Sequence, residues 1–298
     1  MMEIDWSKIA IGMLGGDKRE QEIARLAALT GATVRAYGFP WPAQGIPGVT
    51  WIDDPAAVLR GARFALFPIP GIAADGSLYA PAAGTPIVPG RDMLAGMAER
   101  AHIILGWTDR NLKTHAEALG IGIHEYEWDK SLMLRRTPAI VEGAIKVAIE
   151  NTAITIHDAT VGVIGHGIVG AALARTLVLL GAHVHVAARN PEQRAAAFVA
   201  GAVPHPLGEL GDLAPRLDMV FSTVPSAVID ADMLNRLPRS ALVVDLAAPP
   251  GGVDFAAAER LGLKAIWARG LGSRAPVTVG ASQWGGIRER IERIVCEP

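Results

Sequence analysis

The chain has 298 residues, half of them hydrophobic, with 28 basic side chains against 30 acidic ones and a net charge of −2. That length accommodates two domains with sizeable cores, and the balanced charge argues against nucleic acid as a partner. One cysteine, Cys296, leaves neither a disulfide framework nor a multi-cysteine metal site; with Glu3 and Asp5 in place of a basic-then-apolar leader, the expectation is a cytoplasmic protein with no membrane anchor.

Taken in chain order, an apolar run at 9–14, a helical pattern at 21–29 and a second run at 32–37 predict β-α-β, with Gly15-Gly16-Asp17 at the first turn. Asp17-Lys18-Arg19 sets a cation beside that turn, suited to a substrate carboxylate; a helix-starting Asp with solvated basic neighbours is the alternative. Strands at 63–67, 102–106 and 122–124 and helices at 91–99 and 110–118 complete a smaller α/β domain over residues 1–136. Phe39-Pro40-Trp41-Pro42 and the Gly/Pro-rich segment 68–89 read as irregular, either lining a cleft or forming surface loops. From Thr137-Pro138 to Glu150 the pattern is helical, with Ile140, Val141, Ala144, Val147 and Ala148 on one broad face, and residues 137–157 form a linking helix.

The β-branched run Thr160-Val161-Gly162-Val163-Ile164 leads into Gly165-His166-Gly167-Ile168-Val169-Gly170 and then into an apolar helical stretch. In that strand-to-helix setting a G-x-G-x-x-G marks a dinucleotide site: the first glycine turns the chain, the second lets a diphosphate approach, and the third lets helix and strand pack. The diphosphate would rest on the helix N-terminus, where free N–H groups favour negative charge. The next strand, 182–187, ends in Ala188-Arg189-Asn190. NAD-binding units usually carry a carboxylate there, about 20 residues beyond the glycines; its absence, and a guanidinium able to pair with a 2′-phosphate, favour NADP(H) over NAD(H).

Further strands at 219–223, 241–246 and 264–267 and helices at 192–200 and 255–261 give a doubly wound nucleotide domain over 158–278. A last helix, within 279–298, is expected to pack back on the first domain. The fold class is therefore α/β with two Rossmann-like domains, the second a doubly wound parallel sheet. Thr223, Val224 and Pro225, and Leu246 and Ala247, lie at strand ends facing the nicotinamide half, and small-residue loops at 246–252 and 269–274 flank the crevice. His183 and His185 share a strand face, for which packing or exposure is a better reading than metal binding. No G-x-S-x-G elbow, P-loop or H-E-x-x-H is present.

Several segments together resemble the A subunits of dipicolinate synthases over nearly the whole chain. They are the run Ile11 to Arg19, Val141-Glu142-Gly143-Ala144-Ile145, Thr155-Ile156-His157, the glycine motif, Ala188-Arg189, Ser222-Thr223-Val224-Pro225, Asp245-Leu246-Ala247, Pro250-Gly251-Gly252-Val253-Asp254-Phe255, and Ala275-Pro276 before Thr278 and Gly280. The Gly-Gly-Asp-x-Arg opening and the Pro-Gly-Gly-x-Asp-Phe segment are the more specific parts. Ile140 and Val277 stand where that family has threonine and lysine, so substrate contacts at those two places do not carry over.

The resemblance implies NADP-dependent oxidation of dihydrodipicolinate to pyridine-2,6-dicarboxylate in sporulation, alongside a flavoprotein-like B subunit, in a homo-oligomer. The substrate is then a small dicarboxylate. Arg19, Arg274 and the backbone at Gly15 and Gly16 are its expected partners, and Glu142 is the candidate base, with Arg19 and Asp17 as further catalytic candidates. Two alternatives remain: a two-domain dehydrogenase of a 2-hydroxy or 2-amino acid, and a non-catalytic NADP-binding component of a larger complex.

Overall fold

The computed structural model describes residues 4–296; the predicted positions at Glu3 and at 297–298 lie outside them. The chain divides into two compact units, one of residues 1–136 with 275–298 and the other of residues 137–274. Each is a six-stranded parallel sheet.

In the first unit β1 (Ala10–Leu14), α1 (Lys18–Leu29), β2 (Thr33–Tyr37), β3 (Val49–Trp51), α2 (Pro55–Leu59), β4 (Phe64–Leu66), α3 (Arg91–Leu94), β5 (His102–Leu105), α4 (Arg110–Ala118) and β6 (Gly122–Glu125) follow in order. The spatial order is β3-β2-β1-β4-β5-β6. Two of these elements, β3 and α2, are not expected from the sequence pattern. The strand is only three residues long, whereas the helix carries a legible start: Asp54 accepts the Ala56 N–H and Pro55 takes the first helical position.

Helix α5 (Lys130–Asn151) leads into the second unit. It begins seven residues before the expected Thr137, so Pro138 lies inside the helix rather than at its start. Asp129 accounts for the earlier start, because its carboxylate accepts the N–H groups of Ser131 and Leu132. Pro138 costs the helix one backbone donor.

The second unit runs β7 (Thr160–Ile164), α6 (Ile168–Leu179), β8 (His183–Ala187), α7 (Pro191–Val199), β9 (Val203–His205), α8 (Leu210–Leu213), β10 (Met219–Ser222), α9 (Ala231–Arg236), β11 (Leu242–Asp245), α10 (Phe255–Arg260) and β12 (Lys264–Trp267). Its strand order, β9-β8-β7-β10-β11-β12, repeats that of the first unit. Residues alternate between the faces: Val161, Val163, Phe221 and Val244 pack with Val141, Ala144 and Leu173, whereas Ile164, Val220 and Val243 pack with Leu213, Leu234 and Ala258. With both faces covered, the sheet leaves its strand ends as the places for chemistry.

The last helix, α11 (Pro276–Cys296), belongs to the first unit and packs on α1, where Gly280 lies against the Arg19 carbonyl.

Candidate dinucleotide site and the first glycine turn

In the second unit β7 ends at Ile164 and Gly165 turns the chain at φ +91°, its N–H donating to the Ala187 carbonyl at 2.9 Å. A Cβ on Gly165 would meet Thr223 Oγ1 and Val224, and one on Gly170 would run into the Gly165 carbonyl. Gly167 is different. It is exposed, and a Cβ there would meet nothing within 4 Å. It also caps α6 with no side-chain hydrogen bond, and the first turn of α6 carries no acid. The first and third glycines thus serve packing, while the second leaves bare N–H groups facing open space. These residues fit a dinucleotide diphosphate. His166 is buried, its Nε2 has no partner, and burial lowers its pKa, so it stands as a neutral ring behind the turn.

At the end of β8, Ala188 is buried while Arg189 and Asn190 are exposed. Asn190 caps α7 by accepting the Glu192 N–H at 2.8 Å, so its side chain is committed to the helix. Arg194, which carries no signal in the sequence pattern, donates through Nη1 to the carbonyls of Ala188 (2.9 Å) and Arg189 (2.7 Å). It fixes the backbone that carries Arg189.

The ends of β10 and β11 close the crevice. The Thr223 hydroxyl donates to the Ile164 carbonyl at 3.0 Å, so it braces the glycine turn instead of pointing a donor outward. Val224 packs on that turn and Pro225 is exposed. Asp245 is fully buried: Oδ1 accepts the Ala247 N–H (2.9 Å) and Oδ2 the Gly252 N–H (2.7 Å). The Trp267 indole N–H donates to the Ala247 carbonyl at 3.0 Å. The small-residue loop at 246–252 is therefore tied at both ends, and Leu246 and Ala247 are held in place by a buried carboxylate. An acid directly after a buried strand run was the available signal for Asp245.

Glu142 lies well inside α5, not at a helix start, and its carboxylate forms an ion pair with Arg274. The candidate base and one candidate carboxylate binder thus neutralise each other.

The first unit places Gly15 (φ +74°) and Gly16 (φ +111°) at the end of β1. Their N–H groups, expected to face a substrate carboxylate, donate instead to the carbonyls of Tyr37 (2.9 Å) and Tyr79 (2.6 Å). Segment 68–89 thereby covers the turn. Asp17 caps α1 in a reciprocal box: it accepts the Arg19 N–H, and its own N–H donates to Glu20 Oε2 at 2.7 Å. Arg19 makes a two-pronged pair with Asp17, at 2.9 and 2.8 Å. Asp17 is thus the helix-starting acid of the two alternatives, and Arg19 is paired with it.

His185 and His205 hydrogen-bond across β8 and β9 at 2.9 Å, which gives His185 a strand-to-strand partner. Among the described residues no group of three or more His, Cys, Asp or Glu side chains is placed to hold a metal, and no helix is long and apolar enough to cross a membrane.

Comparison with known proteins agrees with this geometry. Residues 10–127 match the family model for the N-terminal domain of the dipicolinate synthase A subunit, and residues 135–250 that for the NAD-binding domain of D-isomer-specific 2-hydroxyacid dehydrogenases. The second unit is thus of the nicotinamide-dinucleotide-binding, dehydrogenase type. Crystal structures of the dipicolinate synthase A subunits from Bacillus halodurans and from Bacillus subtilis superpose with TM-scores of 0.87 and 0.86, each at 28% identity over 97% of this chain and 98% of theirs. The A subunit of dipicolinate synthase from Bacillus subtilis (strain 168) is 31% identical over 274 residues, 91% of this chain and 92% of that protein. With both units accounted for along nearly the full length of that relative, the chain belongs to the family of dipicolinate synthase A subunits.

Proposed function

We propose that the protein oxidises dihydrodipicolinate to pyridine-2,6-dicarboxylate during sporulation in the cytoplasm, using NADP⁺, as part of a homo-oligomer that works with a flavoprotein-like B subunit. The observation that carries this reading is the open helix N-terminus at Gly167, framed by two packed glycines, in a chain of this family. The nicotinamide coenzyme, when bound, accepts a hydride from the substrate ring.

The chain's own residues supply the rest. Backbone N–H groups at 167–169 hold the diphosphate, and Arg189, with no carboxylate beside it at 187–190, favours a 2′-phosphate. Asp245 keeps the 246–252 loop fixed at the crevice. In the same reading residues 1–136 and the C-terminal helix form the substrate and partner part, with the linking helix at 137–157 and the coenzyme part at 158–278. Arg19 and Arg274 pair with the two carboxylates, and the displacement of Glu142 from Arg274 frees a carboxylate to take the ring proton. Because the product is aromatic, the step is downhill, and positioning counts for more than base strength.

The test is the absorbance change of NADP⁺ with dihydrodipicolinate, with and without the B subunit. Turnover by the chain with NADP⁺ is expected; no turnover under either condition overturns the reading. A non-catalytic, NADP-binding role is the second reading, favoured by the Asp17 with Arg19 and Glu142 with Arg274 pairs, which leave the named acids and cations bonded to each other. It predicts NADP⁺ affinity with no turnover until the partner is added. A hydroxyacid dehydrogenase with a His and carboxylate pair gains less support: Asp158 meets His157 and His183 at the N-terminal ends of β7 and β8, away from the glycine turn, and His205, 3.9 Å from Glu209, lies on the edge strand β9, with β8 between it and β7.

A further inference from the structure

Beneath the first glycine turn the protein buries polar atoms that it does not satisfy. Glu20 is 4% exposed; one carboxylate oxygen takes the Asp17 N–H, and the other, Oε1, has no partner. The hydroxyl of Tyr126, 2% exposed, has none, and neither does the side-chain amide of Gln283, on the buried face of α11 one turn beyond Gly280. Buried polar groups are normally paired, so orphaned atoms of this kind need a reason. Glu20 is also sterically fixed: any side chain at Gly16 would strike its carboxyl. The turn and the helix cap therefore both rest on one carboxyl.

The charges around it are unbalanced. On α1, Asp17 opposes Arg19; at the start of α5, Glu127 opposes Arg136 and Asp129 opposes Arg290, which also lies over the Tyr126 ring. With these pairs neutral, an ionised Glu20 is a surplus negative charge in a place with little water. Burial is the largest influence on it and pushes its pKa up from 4.5 to about 7, while the Tyr126 hydroxyl is pushed up as well.

We propose that Glu20 is a positioning residue for diacid binding: its carboxyl holds the Gly15-Gly16-Asp17 turn, and when a dicarboxylate pairs with Arg19 an ionised Glu20 takes up one proton from solvent. The inference rests on the substrate reading above. Its logic is linkage: a second anion at Arg19 stabilises the protonated form of Glu20, so protonation of Glu20 must strengthen binding to the same degree.

The experiment is calorimetric titration of the full chain with dipicolinate, whose carboxylates are ionised throughout the range, at pH 6, 7 and 8 in buffers of different ionisation enthalpy. For the natural protein the dissociation constant should rise about tenfold from pH 6 to pH 8, with a buffer-dependent heat marking proton uptake at pH 8. In Glu20→Gln, which keeps an acceptor for the Asp17 N–H, both the slope and the buffer dependence should vanish, and Tyr126→Phe should retain them. Binding with the same pH slope in natural protein and Glu20→Gln, or with no slope in either, overturns the proposal alone. Dipicolinate that fails to bind at any pH overturns the substrate reading and the proposal with it.

Discussion

The two units share a strand order but treat the helix after their first strand in opposite ways. In the second, α6 starts at a bare glycine, with no side-chain cap and no acid in its first turn. In the first, α1 starts inside a box made by Asp17 and Glu20, and the glycine N–H groups before it are bonded to Tyr37 and Tyr79. One fold thus yields one helix N-terminus left for an outside anion and one filled by the chain's own carboxylates. Strand order alone does not make a dinucleotide site; an uncapped first turn is also needed.

The largest effect should come from closing the open turn at its tightest point. Gly170→Ala places a Cβ against the Gly165 carbonyl; overpacking against backbone should cost about 3 kcal/mol and abolish coenzyme binding, as read from thermal unfolding and titration with NADP⁺. An alanine variant that is as stable and binds as tightly would mean that the packing of β7 on α6 does not set the turn.

The capped turn makes a prediction of its own, about stability and pH. Glu20 has its pKa raised from 4.5 to about 7 by burial, so the folded state holds the proton more tightly than the unfolded state. The stability this contributes is complete below about 4.5 and is lost as the pH rises through about 7, a fall of roughly 3 kcal/mol from this group. Denaturant unfolding of Glu20→Gln should lack that fall between pH 5 and 8; parallel curves for the two proteins would show that Glu20 ionises freely where it lies.

A smaller effect is expected at the end of β8. Arg189→Ala should weaken NADP⁺ about tenfold and leave NAD⁺ unchanged, since one exposed guanidinium against a phosphate contributes on the order of 1 kcal/mol. Equal losses for both coenzymes, measured by titration, would remove the 2′-phosphate role.

Much of this contrast was legible in the residues. Runs such as Thr160-Val161-Gly162-Val163-Ile164 are apolar throughout because a parallel sheet is covered on both faces, so strand identity survives without any context. The glycine motif was legible for the same reason: its chemistry is backbone chemistry. What stayed hidden depends on folded geometry that periodicity does not carry. Asp245 becomes a loop anchor only through Ala247 and Gly252, and the pairing of Glu142 with Arg274 spans 132 positions. Val203-Pro204-His205 is too short for periodicity and carries a proline that only an edge strand tolerates. The Asp17-Lys18-Arg19-Glu20 box was readable from its spacing, yet the basic pair within it points equally well to a substrate carboxylate.

Gly167→Ala is the most direct test, because a methyl group there touches nothing in the protein and intrudes only on what lies over the turn. Titration of the variant and the natural chain with NADP⁺, alongside their melting temperatures, should show stability lowered by no more than about 1 kcal/mol, as for alanine at a helix N-cap, with affinity reduced at least about tenfold. Equal affinity in the two proteins would contradict the placement of the coenzyme phosphates on the turn at 165–170, and the functional account with it.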